Sequence, residues 1–297
     1  MSGRLLHTGQ VVVDLVLRVP TLPQRGGDLL AEGTELLVGG GFNVMAAAAR
    51  SGAEVLYAGA HGTGRFGEQV RAALRAEGIA VARAPSSEAD TGVCVALVEP
   101  DGERTFVTGT GAEGGLGPGA LDGITAGPAD LVYVSGYSLL HESNRDTLLD
   151  WLPRNGSART LFDPGPLTPD IPPETLRAVL STVDIVSCNA EESAPLTDSV
   201  REFPECTLLV RDGANGCTIR RGTTATQVPG FPVTAVDTNG AGDAHCGVLS
   251  AELLRGTELE TAARRANAAA AIAVSRTGPA TAPERAEIDR FLAARQG

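Results

Sequence analysis

Apolar residues fall along the chain in short buried runs and helical stripes. Leu5 to Val13 is an apolar run that reads as one buried strand. From Leu15 to Val38 the chain is punctuated by glycine and reads as extended rather than helical. Gly41 to Ser51 carries Met45 and alanines at 46 to 49, a helix of small residues suited to close packing. Val55 to Ala60 reads as a strand, and Phe66 to Glu77 sets Phe66, Val70, Ala73 and Leu74 on one helical face, with Gly78 as its stop. Thr91 to Val107 holds two short strands turned at Pro100-Asp101-Gly102. The pattern then alternates. Strands are predicted at Leu131 to Ser135, Thr160 to Phe162, Ile185 to Ser187 and Leu208 to Val210. Helices are predicted around Arg145 to Leu152, Glu174 to Leu180, Gly242 to Arg255, Glu258 to Val274 and Ala286 to Ala294. Such alternation predicts an α/β fold of three layers, α/β/α, around a mostly parallel sheet. No repeat or low-complexity linker interrupts it, so residues 1–297 read as a single domain. Only the β-rich segments near 14–38 and 91–108 break the alternation.

Charge narrows the class of partner. The formal net charge is −12, which argues against nucleic acid and anionic membrane. No run approaches the ~18 apolar residues of a membrane span. All 24 basic residues are arginine, so any charge clamp on a phosphate must be arginine, metal or backbone N–H. The 5 cysteines, Cys94, Cys188, Cys206, Cys217 and Cys246, show no paired spacing, and the apolar N-terminal stretch is broken by His7, Gln10 and Asp14. The expectation is a cytoplasmic protein without zinc or disulfides. His7, His61, His141 and His245 are far apart in sequence and suggest no metal site; His245 reads as packing.

The densest chemistry lies in Asp237-Thr238-Asn239-Gly240-Ala241-Gly242-Asp243, which leads into an apolar helical run. Gly240, Ala241 and Gly242 leave their backbone N–H groups free to converge on an anion at a helix start. Asp243 beside such a hole suits a general base; the plainer alternative is an ordinary first-turn acid. Gly-x-Gly-x-x-Gly occurs at Gly62 to Gly67 and at Gly109 to Gly114. With 37 glycines in 297 residues, roughly half a match arises by chance, so dinucleotide binding gains little support.

Asp-Thr-x-Gly-Ala-Gly-Asp is similar to the C-terminal signature of the PfkB (ribokinase-like) family of small-molecule kinases. Further pieces follow in the family's order along nearly the whole chain: Asp14, Gly39-Gly40-Gly41-Phe42-Asn43, Asn189-Ala190-Glu191-Glu192, Gly213-Ala214-Asn215-Gly216, and Asn267 before Ser275-Arg276-Thr277-Gly278. The resemblance implies a ribokinase-like domain whose segments 14–38 and 91–108 form a small β lid over a sugar site. It implies ATP-dependent phosphorylation of a sugar hydroxyl, with Asp243 as base and residues 240–242 as anion hole. Asp14, Gly40 and Asn43 would bind the sugar, while Asn189, Gly213, Gly216 and Asn267 would line the ATP site. Glu192 would hold Mg²⁺ through water. Asp237 would hold a monovalent cation, with K⁺ the candidate, together with carbonyls of Ala273, Arg276 and Gly278. Arg211 stands where the family often has threonine and could supply charge to ATP phosphates. Val38 and Gly40 depart from the family pattern in a way that counts against ribose. The readings as helix caps for Asn43, Asn189 and Glu192, and as turn residues for Asp14, Asp237, Gly213 and Gly216, stay open. So do a nucleoside or other small-metabolite kinase and a non-catalytic sugar-binding protein. Open lid edges suggest a homodimer through the lid.

Overall fold

The computed structural model describes residues 3–295. The chain begins with β1 (Arg4–His7), β2 (Val11–Arg18), β3 (Gly33–Gly40) and α1 (Gly41–Arg50). Next come β4 (Glu54–Tyr57), α2 (Arg65–Ala76), β5 (Ala80–Val81), β6 (Val93–Val98) and β7 (Arg104–Gly109). The alternating part holds β8 (Leu131–Ser135), α3 (Gly136–Leu139), α4 (Glu142–Arg154), β9 (Arg159–Asp163), α5 (Pro173–Leu180), β10 (Ile185–Asn189), α6 (Ala190–Arg201) and β11 (Thr207–Arg211). The chain closes with β12 (Gly216–Arg221), β13 (Thr224–Pro229), α7 (Ala241–Leu254), α8 (Leu259–Ala273) and α9 (Arg285–Ala293).

Among the described residues, nine strands form one sheet in the order β13-β12-β11-β10-β9-β8-β1-β4-β5. From β5 to β11 its neighbours run parallel, and β12 and β13 add an antiparallel edge. Strands buried on both faces send successive residues to opposite layers. Leu5 packs with Met45, Leu74, Val248 and Ile288 on the side of α1, α2, α7, α8 and α9. Leu6 packs with Leu148, Trp151, Val179 and Leu196 on the side of α4, α5 and α6. The small side chains Ala46, Ala47 and Ala48 are fully buried, which lets α1 lie close to α7.

The expected strand from Leu5 to Val13 is in fact two. Its first half is β1, and after Thr8–Gln10 the chain enters β2 of a separate four-stranded sheet, β3-β2-β6-β7. The break is local: the Thr8 N–H donates to the Tyr133 carbonyl, and the Gly9 N–H donates to His7 Nδ1. Asp14 therefore sits in mid-strand, opposite Leu37 and Cys94, rather than at a strand end. The small sheet coincides with the two segments that interrupt the alternation.

Position follows from topology. β1 lies between β4 and β8, where the strand order reverses, and ligand crevices open beyond the C-terminal ends of strands at such a point. Ser135, Asp163, Asn189 and Arg211 end β8 to β11 on that rim. The Asp14 strand rises directly from the C-terminal end of β1.

Candidate active site

Gly240 is the residue that turns the chain into α7. Its φ is +73°, and a Cβ there would lie 2.0 Å from the Pro279 carbonyl oxygen, so no other residue fits without displacing that loop. The N–H groups of the first turn have no partner within the helix. Ala241 turns its N–H toward the Thr238 carbonyl at 3.3 Å. Asp243, in the same turn, is partly buried, and burial pushes its carboxyl up to about 6; the Asn43 amide opposes that shift.

Asn43 comes from the other end of the sequence. It sits in the first turn of α1, is buried, and donates from Nδ2 to Asp243 Oδ2 at 2.9 Å. Its Oδ1 is buried without a protein partner. A buried amide oxygen left unpaired is costly, and a ligand hydroxyl would satisfy it. Asp14 closes the same space from the small sheet. Burial, then the charge of Asp243, pushes its carboxyl up to about 7. Gly39 makes room for it: a Cβ there would meet Asp14 Oδ2 at 2.0 Å. Gly40 caps α1 and is exposed. Asp14, Asn43 and Asp243, spread over the sequence, are thus brought together between the two sheets.

On the other side of Asp243 lies a charged network. Arg211 Nη1 bonds to Asp163 Oδ2 at 3.0 Å and to Ser187 Oγ at 3.1 Å, and its Nη2 lies 3.5 Å from Glu192 Oε2. The guanidinium also lies 3.4 Å from where a Cβ on Gly242 would stand. Arg211 therefore runs beneath the start of α7, held by carboxylates. Asn189 and Glu192 form a reciprocal cap on α6. The Glu192 N–H donates to Asn189 Oδ1 and the Asn189 N–H donates to Glu192 Oε2, each at 2.8 Å. Burial still holds the Glu192 carboxyl above its ordinary value. Gly213 and Gly216 flank the short turn between β11 and β12. Asn267 sits elsewhere: its amide donates to the carbonyls of Val228 and Pro229 and braces α8 against β13.

Asp237 departs from expectation. Its carboxylate is paired with the guanidinium of Arg104, which reaches across from β7. It also accepts the N–H groups of Asn239 at 2.8 Å and Gly278 at 3.0 Å. The Ala273 carbonyl, expected to face a cation, accepts instead from the Arg276 N–H and the Thr281 hydroxyl. These groups do not fit a monovalent ion at this carboxylate. Among the described residues no cluster of three or more His, Cys, Asp or Glu could hold a metal by itself.

Three residues escaped the sequence reading. Asp163 ends a strand that was foreseen, and a carboxylate at the C-terminal end of a parallel strand is the signal that would have found it. Tyr137 stands 42% exposed just past β8, its phenol pushed up to about 12 by burial and by the nearby Asp243 and Asp163. Arg104 carried no local signal.

The family model described as pfkB family carbohydrate kinase matches residues 3–286. An uncharacterized sugar kinase, YegV, of Escherichia coli is 33% identical, covering 97% of this chain and 98% of its own length. An ATP-dependent ribose-1-phosphate kinase of Halopiger xanaduensis is 29% identical, covering 98% and 99%. Among solved structures, the ribokinase of Giardia lamblia superposes with a TM-score of 0.84 at 24% identity, covering 99% of this chain and all of that one, a likeness of fold. With a ribokinase-like fold, a family match over nearly its whole length and a sugar kinase at one-third identity, this chain belongs to the PfkB family of carbohydrate kinases.

Proposed function

We propose that this kinase transfers the γ-phosphoryl group of ATP to a hydroxyl of a small sugar, with Asp243 as the general base. The observation that carries the reading is the Asn43–Asp243 hydrogen bond beside Asp14. It joins the two glycine-rich segments of the chain around one space and leaves the Asn43 amide oxygen buried and without a protein partner. Asp14 and Asn43 would accept and orient the sugar hydroxyls, with Gly39 and Gly40 keeping side chains clear. Asp243 would take the proton of the attacking hydroxyl, whose oxygen then meets the γ-phosphorus in line. The first turn of α7 would bind the transferring group through backbone N–H and dipole, and the Arg211 guanidinium beneath it adds fixed charge. The turn at Gly213 and Gly216 would border the nucleotide. Asn189 would act there through the α6 cap, and Asn267, whose amide is committed to Val228 and Pro229, would act by bracing rather than by contact.

Glu192, with Asp163 nearby, offers the hard oxygen donors a hydrated Mg²⁺ prefers, and Mg²⁺ keeps most of its waters. Bound there, it would neutralise phosphate charge. The lid over the site would keep water out and so limit hydrolysis of ATP. Cytoplasmic residence suits five free, buried cysteines. Pairing of lids in a homodimer would cover Leu36 and Val107, which are exposed on the small sheet.

Membership of the family sets aside the non-catalytic alternative. A nucleoside or another small hydroxyl-bearing metabolite as substrate keeps the same core and differs in what the lid admits. A panel of sugars, sugar phosphates and nucleosides, assayed for ADP release, separates these. Turnover of a nucleoside far above every sugar would replace the sugar reading; turnover of none would overturn it.

A further inference from the structure

The carboxylate of Asp237 lies three residues before the Gly240 turn and stitches two loops together. The N–H groups of Val236 and Asp237 donate to the Val274 carbonyl at 2.7 and 3.1 Å. The carboxylate itself accepts from Asn239 and Gly278. These bonds fix the 274–279 segment against which Gly240 packs. An uncompensated negative charge so close to an anion hole would oppose a phosphate there. In this chain the compensating charge is covalent: Arg104 reaches from the lid strand β7 to Asp237, with both side chains largely buried at 16% and 15% exposure. A guanidinium is charged at every accessible pH and cannot be washed out, unlike an ion.

We propose that Arg104 is a tethered cation that substitutes for a monovalent ion at the Asp237 loop and makes the order of the anion hole depend on the position of the lid. The inference rests on the kinase reading. Arg104 touches no reacting atom in this scheme; it is a positioning residue. Because it rides on the lid, the hole is fully ordered only when the lid lies over the sugar site. An empty, open site would then be a poor catalyst of ATP hydrolysis.

The test compares wild type and Arg104→Ala in chloride salts of K⁺, Na⁺ and tetramethylammonium at one ionic strength. Wild-type kcat should vary less than about twofold across the salts. Arg104→Ala should lose at least ~10-fold in kcat in tetramethylammonium, the size of a lost charge-assisted hydrogen bond, and K⁺ should restore most of it. The thermal midpoint gives a readout that needs no turnover. It should rise with K⁺ over tetramethylammonium in the variant and stay level in wild type. Activation of wild type several-fold by K⁺ overturns the proposal, and that arm stands even if the variant does not fold. A loss in Arg104→Ala that no cation repairs also overturns it. If no substrate is turned over the kinase reading has failed, while the K⁺-dependent midpoint still judges the cation site.

Discussion

At Asp243, exchange of the carboxylate for an amide keeps the shape and removes the proposed base. Asp243→Asn should lower kcat at least ~100-fold on the best substrate, the usual scale of a lost general base. Binding of a non-hydrolysable ATP analogue, measured by calorimetry, should change less than about threefold. A variant that keeps more than a tenth of wild-type kcat would remove Asp243 from the chemistry. The carboxyl is pushed up to about 6 and must be ionised to act, so kcat/KM should fall as pH drops through that value. The charge of Asp243 helps to hold Asp14 protonated, so Asp14 is largely neutral while Asp243 titrates. Asp14→Asn should therefore leave the acid limb of that profile nearly in place while raising the substrate KM; a limb that moves well to lower pH would mean that Asp14 is already ionised while Asp243 titrates. The same substitution tests stability. A carboxyl held near 7 in the fold and near its ordinary value when unfolded adds stability below that ordinary value, and this is lost as pH rises through 7. At pH 8 Asp14→Asn should thus melt a few degrees above wild type, a gain typical of relieving strain at a functional site.

The elements most clearly written in the sequence are those whose periodicity is set by burial on known faces. β8 matches its predicted span from Leu131 to Ser135, and α2, α7 and α8 fall within a residue or so of expectation. Alternation of strand and helix gave the parallel sheet and its layers. The split between β1 and β2 was not legible, because both halves are apolar for different reasons. Leu5 and Leu6 face the layers of the large sheet, whereas Val11 and Val13 anchor the small one. The β12–β13 hairpin also went unread, since Thr224 to Gln227 is exposed and polar at the sheet edge. At the site, glycines and carboxylates with a local spacing could be read; Arg104 could not, because its meaning lies in a partner 133 residues away. The Gly240 turn offers a test at this scale. Gly240→Ala forces a side chain into a left-handed conformation and against the Pro279 carbonyl, a cost of roughly 1–3 kcal/mol. Catalysis should fall more than nucleotide affinity, because the strain falls on the hole rather than on the β11–β12 turn. A fall in thermal midpoint with kcat intact would show that the turn serves the fold alone.

For the whole molecule, the proposed role of the lid extends from substrate choice to assembly. Its exposed apolar face includes Val107 at 63% exposure and Leu36 at 38%. Light scattering at micromolar concentration should give twice the monomer mass, and Val107→Glu should give the monomer. A monomeric wild type would dissociate lid function from assembly.

The Asn43–Asp243 bond spans 200 residues of chain. The partners arrive on α1 and α7, whose packing joins the first fifth of the molecule to its last. Contacts of such long range cost loop-closure entropy before they add any stability. A chain that lacks either α1 or α7 thus leaves the proposed base without its partner. Competence for transfer, on the proposed chemistry, requires both ends of the chain at once, so copies missing either would not spend ATP.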